Sequence, residues 1–117
     1  MSREKILIVD DEEHILNQLR WGLQDEYEVL TASSPDEARR LVREEHPAVV
    51  TLDLTLRAGG GPEDGLQLLD EIVDEHPLTK IIMVTGNDDP QNALIAIHRG
   101  AVDWYGKPVE LEELKVT

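Results

Sequence analysis

Polar residues that could carry phosphoryl chemistry follow several short apolar runs of this 117-residue chain. Asp10 and Asp11 come directly after the apolar residues 6–9, and Asp53 comes directly after residues 49–52. Thr85 follows residues 81–84, and Lys107 closes the segment that begins at residue 101. If these runs are strands of one parallel sheet, their carboxyl ends meet at the edge where such sheets bind ligands. The sequence therefore predicts three carboxylates, a hydroxyl and an ammonium group at one edge.

This combination of groups indicates a divalent metal ion and a phosphoryl group. Ionised carboxylates in proximity repel one another, and Mg2+, which prefers oxygen ligands and binds through carboxylates and phosphate oxygens, would remove that repulsion. A carboxylate can act as the nucleophile by forming an acyl phosphate, and we assign that role to Asp53. Lys107 could contact one phosphoryl oxygen as a point charge, and Thr85 could donate its hydroxyl to another.

Each of these residues also has an ordinary structural explanation when it is taken alone. An Asp after a strand often serves only as a helix cap or a turn residue. An isolated Thr85 would be an ordinary strand-end residue, and an isolated Lys107 a solvated one. The joint pattern is more specific, because all of the residues lie at the same end of the predicted strands.

Short apolar runs alternate with amphipathic stretches along the chain, which predicts repeated βα units and a parallel sheet. Ser34 is predicted to cap a helix that starts at Pro35 and stops before Pro47, with Glu37 closing a capping box. A fifth helix begins near Glu110, but the sequence stops after about two turns, so we expect a truncated helix and a longer parent protein. The strands are expected near residues 6–9, 28–32, 48–52, 80–84 and 101–105, and the other helices near residues 14–25, 65–75 and 90–99.

Composition restricts the classes of function. Hydrophobic residues make up 40% of the chain, enough for the core of a single domain over residues 1–117. The 25 acidic residues exceed the 11 basic ones, which argues against direct nucleic-acid binding because no basic stripe can meet phosphates. The chain has no Cys, no signal-peptide pattern and no segment long enough to span a membrane. We therefore expect a cytoplasmic protein without membrane contact.

The site residues and their flanking runs resemble the receiver domain of bacterial response regulators, over essentially the whole chain. The segments that carry the resemblance are Ile-Leu-Ile-Val-Asp-Asp-Glu at 6–12, Val-Val-Thr-Leu-Asp-Leu at 49–54, Val-Thr-Gly at 84–86 and Gly-Ala-Val-Asp-Trp-Tyr-Gly-Lys-Pro at 100–108. The resemblance implies a doubly wound, flavodoxin-like α/β fold. Its five-stranded parallel sheet would have the order 2-1-3-4-5, with helices on both faces.

The resemblance also implies roles for individual residues at the acidic edge. Asp53 would accept a phosphoryl group from the phosphohistidine of a partner histidine kinase. Asp11 would bind Mg2+ directly, Asp10 mainly through water, and Thr55 through its backbone carbonyl. No other cofactor is implied.

A conformational switch is implied as well. Thr85 and Lys107 would contact the phosphoryl group, and Trp104, in the family's switch-aromatic position, would turn inward when Thr85 moves. The remodelled surface of the fourth helix, fifth strand and fifth helix would control an output domain or homodimer formation. Such a domain phosphorylates and dephosphorylates itself, and it is not a multiple-turnover enzyme.

Three shorter segments point to a subfamily. Residues 19–21, 47–53 and 85–89 are similar to the receivers of PEP-CTERM-box response regulators, which resemble NtrC-type, sigma-54-dependent activators. This similarity implies an ATPase domain and a DNA-binding domain after the receiver.

Two features of the sequence depart from the family pattern. Arg57 stands where the family usually has Pro, and the loop predicted over residues 57–64 is longer than usual. The loop is either a tolerated surface insertion or a change in the access of water or kinase to Asp53.

The His residues are scattered near predicted helix ends with no spacing typical of a metal site, and we expect them to be solvated or to lie at helix C-termini. They are His14, His46, His76 and His98.

Alternative functions are weaker. A phosphatase with an aspartyl nucleophile would need an acid two residues after Asp53, where Thr55 stands. A flavodoxin-like cofactor site would place phosphate against the acidic residues 10–13, which repel it. A degenerate receiver that acts as a phosphorylation-independent interaction module remains as the alternative.

Overall fold

The computed structural model describes residues 4–53, 62–85 and 90–106. Strands and helices alternate along these ranges, as the sequence predicts for repeated βα units. The elements are β1 (Lys5–Val9), α1 (Glu13–Leu23), β2 (Glu28–Ala32), α2 (Pro35–Glu45), β3 (Val49–Leu52), α3 (Pro62–Glu75), β4 (Lys80–Thr85), α4 (Pro90–His98) and β5 (Asp103–Gly106).

The five strands form one parallel sheet in the order β2-β1-β3-β4-β5. The order that the resemblance implies is therefore confirmed. Because β1 pairs with β2 on one side and with β3 on the other, the direction of winding reverses between β1 and β3. In doubly wound sheets, ligands bind outside the carboxyl ends of the strands at such a reversal.

The central strand β1 is covered on both faces. Leu7 and Val9 belong to a core that includes residues of α2, α3 and α4, whereas Ile6 and Ile8 belong to a core built with α1. A strand buried on both sides needs apolar residues at every position, which explains why residues 6–9 form an unbroken apolar run.

The start of α2 shows how local sequence places an element. The Oγ of Ser34 accepts a hydrogen bond of 3.2 Å from the N–H of Glu37, and Pro35 is the first helical residue. The carboxylate of Glu37 accepts a hydrogen bond of 2.8 Å from the N–H of Ser33. The predicted cap residue is confirmed, but the return bond goes to the residue before the one that a capping box would use.

Other boundaries differ from the predictions by a few residues. Helix α3 begins at Pro62, so the predicted loop over residues 57–64 is wrong for residues 62–64, and residues 57–61 lie outside the described ranges. Proline favours the first position of a helix and acidic residues favour the first turn, which accounts for this earlier start. Strand β5 begins at Asp103, two residues later than expected, and α1 ends at Leu23, two residues earlier. The predicted fifth helix lies outside the described residues.

Across the described part of the chain, no helix is both long enough and apolar enough to cross a membrane.

Candidate functional site

Three carboxylates meet at the carboxyl edge of the sheet. Asp10 follows β1, Asp53 follows the neighbouring strand β3, and Asp11 lies in the turn that leads to α1. One carboxylate oxygen of each residue lies within 4.8 Å of the others. Asp10 and Asp53 are each only 2% exposed, whereas Asp11 is partly exposed. The structure thus brings together the three acids that the sequence placed at one edge.

The sheet itself holds the two buried acids. The N–H of Asp10 donates to the carbonyl of Ala32 at 3.0 Å, and the N–H of Asp53 donates to the carbonyl of Val9 at 3.0 Å. Each bond continues the pairing of β1 by one residue beyond the strand. The N–H of Glu12 also donates to Oδ1 of Asp10 at 2.9 Å, which fixes the direction of that carboxylate. Hydrogen bonds of the sheet therefore position the backbone of both buried acids.

This grouping is electrostatically costly without a cation. Two unit charges 4.8 Å apart repel by about 3 kcal/mol at an effective dielectric constant of about 20. Burial of Asp10 and Asp53 also removes water that would otherwise solvate their charge. A hard divalent cation with oxygen ligands fits this donor set, and the partly exposed Asp11 leaves a side open to water.

The other predicted site residues follow the next strands. Thr85 is the last residue of β4, which pairs with β3, and it lies opposite Gly106, the last residue of β5. Its backbone is therefore at the same edge as Asp53. Lys107 comes directly after Gly106 in sequence, but Lys107 and Thr55 lie outside the described residues.

Trp104 is half-buried in β5. Its ring packs against the core cluster that contains Ala96 of α4, and its buried Nε1 has no hydrogen-bond partner within the described residues. The next residue, Tyr105, packs against the opposite core, and its hydroxyl donates to Asp103 at 3.3 Å. Trp104 thus faces the side of the sheet that α4 covers, and its role in switching stays a prediction.

The structure also joins two residues that the sequence did not connect. His46 follows α2 and His76 follows α3, and their ring centroids are 6.0 Å apart. Both precede a proline and then one of two neighbouring strands, β3 or β4. This repeated His-Pro pattern is the sequence signal that could have suggested the contact.

Comparison with known proteins gives consistent matches. Residues 6–117 match the response regulator receiver domain family. The nitrogen assimilation regulatory protein NtrX of Azorhizobium caulinodans is 39% identical over 95% of this chain and 24% of its own length. The chain thus spans about a quarter of the length of such curated relatives.

Solved structures share the fold. The receiver domain of NtrX from Brucella abortus is 38% identical, with a TM-score of 0.85 over 95% of this chain and 92% of that one. A response regulator from Burkholderia pseudomallei, solved with a phosphorylated aspartic acid, calcium ion and citrate, is 30% identical, with a TM-score of 0.87 over 97% of this chain and 65% of that one.

Proposed function

Because this chain belongs to the response regulator receiver domain family of two-component systems, we propose that it is a phosphoryl-accepting switch in which Asp53 is phosphorylated by a histidine kinase. The observation that carries the proposal is the convergence of Asp10, Asp11 and Asp53 within 4.8 Å, with two of the acids buried. The Burkholderia pseudomallei relative has a phosphorylated aspartic acid and a calcium ion. Calcium shares with Mg2+ the preference for oxygen ligands, so that relative supports the same chemistry here.

The strand order favours Asp53 as the nucleophile. Strand β3 lies between β1, which carries Asp10, and β4, which ends at Thr85. Asp53 therefore has Asp10 on one side. On its other side lie the carboxyl ends of β4, where Thr85 stands, and of β5, which Lys107 follows in sequence. Asp10 already accepts a backbone hydrogen bond at Oδ1, which favours a positioning role for its carboxylate.

The transfer step needs little from the protein beyond positioning and charge. A carboxylate oxygen of Asp53 forms a bond to phosphorus while the phosphorus–nitrogen bond of the phosphohistidine breaks, and the electron pair of that bond returns to the imidazole nitrogen. The product is an acyl phosphate on Asp53. Mg2+, held by Asp10, Asp11, Asp53 and the carbonyl of Thr55, would neutralise charge on the phosphoryl oxygens.

Attack by water on the acyl phosphate would release inorganic phosphate and restore the Asp53 carboxylate. The receiver domain family is not itself a catalytic enzyme family. We propose that self-phosphorylation and slow self-dephosphorylation are the reactions of this domain. The phosphorylated state therefore has a limited lifetime.

Phosphorylation would change the conformation of the region formed by β4, β5 and α4. Thr85 and Lys107 would contact the phosphoryl group. Trp104, which packs on the α4 side of the sheet, would turn inward when Thr85 moves. A switch of this kind biases an equilibrium between two conformations. The readout would be homodimer formation or a changed contact with an output domain.

The output is proposed from the relatives. The NtrX relative is about four times longer than the matched region and is a regulatory protein, which supports a receiver followed by further domains. We propose an output of the sigma-54-dependent type, with an ATPase domain and a DNA-binding domain that control transcription in the cytoplasm. The excess of 25 acidic over 11 basic residues favours DNA contact by the output rather than by the receiver.

Chemical trapping of the acyl phosphate tests which carboxylate is the nucleophile. The protein is incubated with Mg2+ and a small phosphodonor and then treated with hydroxylamine, which converts an acyl phosphate into a stable hydroxamate. Peptide mass spectrometry should find the hydroxamate at Asp53. A hydroxamate at Asp10 or Asp11 would overturn the assignment of Asp53, and the absence of any would favour a phosphorylation-independent receiver.

A further inference from the structure

A pair of imidazoles lies at the opposite end of the sheet from the acidic site. The rings of His46 and His76 have centroids 6.0 Å apart and planes at 63° to each other. They line an open depression of about 460 Å³, together with Pro47, Ala48, Pro77, Leu78 and Thr79. The depression lies at the amino end of β3, and Asp53 lies at the carboxyl end of the same strand. The length of this four-residue strand, about 13 Å, therefore separates the two sites.

Hydrogen bonds fix the two loops that carry these rings. His46 ends α2 in the left-handed conformation, with φ of 50° and ψ of 57°, which few residues other than glycine adopt. The carbonyl of His76 accepts the N–H of Thr79 at 3.0 Å, and the hydroxyl of Thr79 donates to the carbonyl of Pro47 at 3.3 Å. The first bond closes the loop after α3, and the second links that loop to the loop after α2. The proximity of the rings therefore follows from the backbone.

The electrostatic surroundings favour a cation. Helices α2 and α3 both end at this depression, and the carbonyl groups at a helix C-terminus carry partial negative charge. The last turn of α3 contains Asp74 and Glu75 and no basic residue. Among the described residues, none forms a hydrogen bond with the imidazole of His46 or of His76. The ring nitrogens are therefore available to a ligand.

We propose that His46 and His76 form a binding site for a divalent transition-metal ion such as Zn2+ or Ni2+. Neutral imidazole is a preferred ligand of these ions, whereas Mg2+ prefers oxygen. A nitrogen ligand lies about 2.0–2.1 Å from such an ion, so two imidazoles that share it in tetrahedral geometry have their nitrogens about 3.4 Å apart and their ring centroids about 5 Å apart. The observed centroid separation of 6.0 Å is within about 1 Å of that arrangement, so a small rotation of the rings reaches it. The open depression leaves room for water to complete the coordination. The ion would join the end of α2 to the end of α3.

Calorimetric titration of Zn2+ into the protein, with Mg2+ saturating the acidic site, tests the proposal. The variants are His46→Asn, chosen because Asn tolerates the left-handed conformation, and His76→Gln. The matched control is His98→Gln, which removes an exposed imidazole at the end of α4. A thermal unfolding scan of each variant without Zn2+ establishes that it is folded.

The parent and His98→Gln should bind one Zn2+ per chain with the same affinity. Removing a group that only hydrogen-bonds to a metal ligand typically weakens metal binding about 10–100-fold. His46→Asn and His76→Gln each remove a ligand itself, so each should lower the Zn2+ affinity at least about tenfold. Unchanged Zn2+ affinity in both variants would overturn the proposal. An Asp53→Asn variant should still bind Zn2+, and loss of binding in that variant would place the ion at the acidic edge instead.

Discussion

Replacing Asp53 with Asn should stabilise the fold when no divalent cation is present. Asp53 is 2% exposed, and its carboxylate lies within 4.8 Å of those of Asp10 and Asp11. Each ionised pair at that distance costs about 3 kcal/mol at an effective dielectric constant of about 20. The partly exposed Asp11 is screened by water, and the other interactions of Asp53 offset part of the repulsion, so we expect a net gain in the free energy of unfolding of about 1–3 kcal/mol. Asn has the same shape, and the backbone bond to Val9 is kept.

Urea unfolding in the presence of a chelator measures this gain. With a dependence on urea of about 1–3 kcal/mol per molar, a gain of about 2 kcal/mol moves the midpoint by about 1 M. The matched control is Asp74→Asn, an exposed acid in the last turn of α3 and away from the site. Because a charge at a helix C-terminus contributes only about 0.3–1 kcal/mol, this variant should move the midpoint by less than about 0.5 M. Destabilisation of Asp53→Asn in the chelator would refute the reasoning.

The same variant tests the metal site when Mg2+ is added. An ion that binds only the folded state stabilises it by about 2.7 kcal/mol when its concentration is about 100 times the dissociation constant. The parent should gain stability in this way. Asp53→Asn, which has lost one carboxylate ligand, should gain much less at the same concentration. Equal gains in the two proteins would contradict the assignment of Asp53 as a metal ligand.

Three further variants test the packing and charge of the fold by the same unfolding assay. Leu69→Ala removes a fully buried side chain of α3 and should cost about 2–5 kcal/mol. Gly100→Ala forces a side chain onto a φ of 117° and places its Cβ 2.9 Å from Cγ2 of Val73; it should cost about 1–3 kcal/mol, and adding Val73→Ala should recover only the part due to the clash. The hydrogen bond and charge of Glu45 raise the pKa of Lys5 above its usual 10.5. The stability difference between the parent and Lys5→Met should therefore be constant from neutral pH up to that value and shrink as the pH rises through the raised pKa.

The fold was predictable because the strands that are buried on both faces carry an unambiguous pattern. Leu7 and Val9 pack toward one layer of helices while Ile6 and Ile8 pack toward the other, so residues 6–9 of β1 are all apolar. The alternation of such runs with amphipathic segments is enough to predict a parallel sheet. The order of the strands came from the resemblance to receiver domains, because alternation alone does not determine it.

Element boundaries were harder to predict where two local signals competed. The apolar pattern predicts α3 from about Gly65, but the helix begins at Pro62. The proline at the first helical position outweighs the cost of a glycine within the helix. At α2, Ser34 and Pro35 act together and the predicted start is confirmed.

The acidic site could be predicted because its residues directly follow strands whose ends share one edge. The contact between His46 and His76 could not be predicted in the same way, because it depends on the left-handed backbone at His46 and on the approach of two loops. The roles of Thr55, Lys107 and Trp104 stay predictions. The similarity to PEP-CTERM-box regulators also stays a prediction.

Intact-mass spectrometry after incubation with Mg2+ and a small phosphodonor tests the central claim most directly. The parent should gain the mass of a single phosphoryl group. Asp53→Asn, and the parent treated with a chelator, should gain none. Asp74→Asn should behave as the parent does, because its carboxyl group lies outside the acidic site. A phosphoryl group on Asp53→Asn, or none on the parent, would contradict the account of Asp53 as the phosphoacceptor.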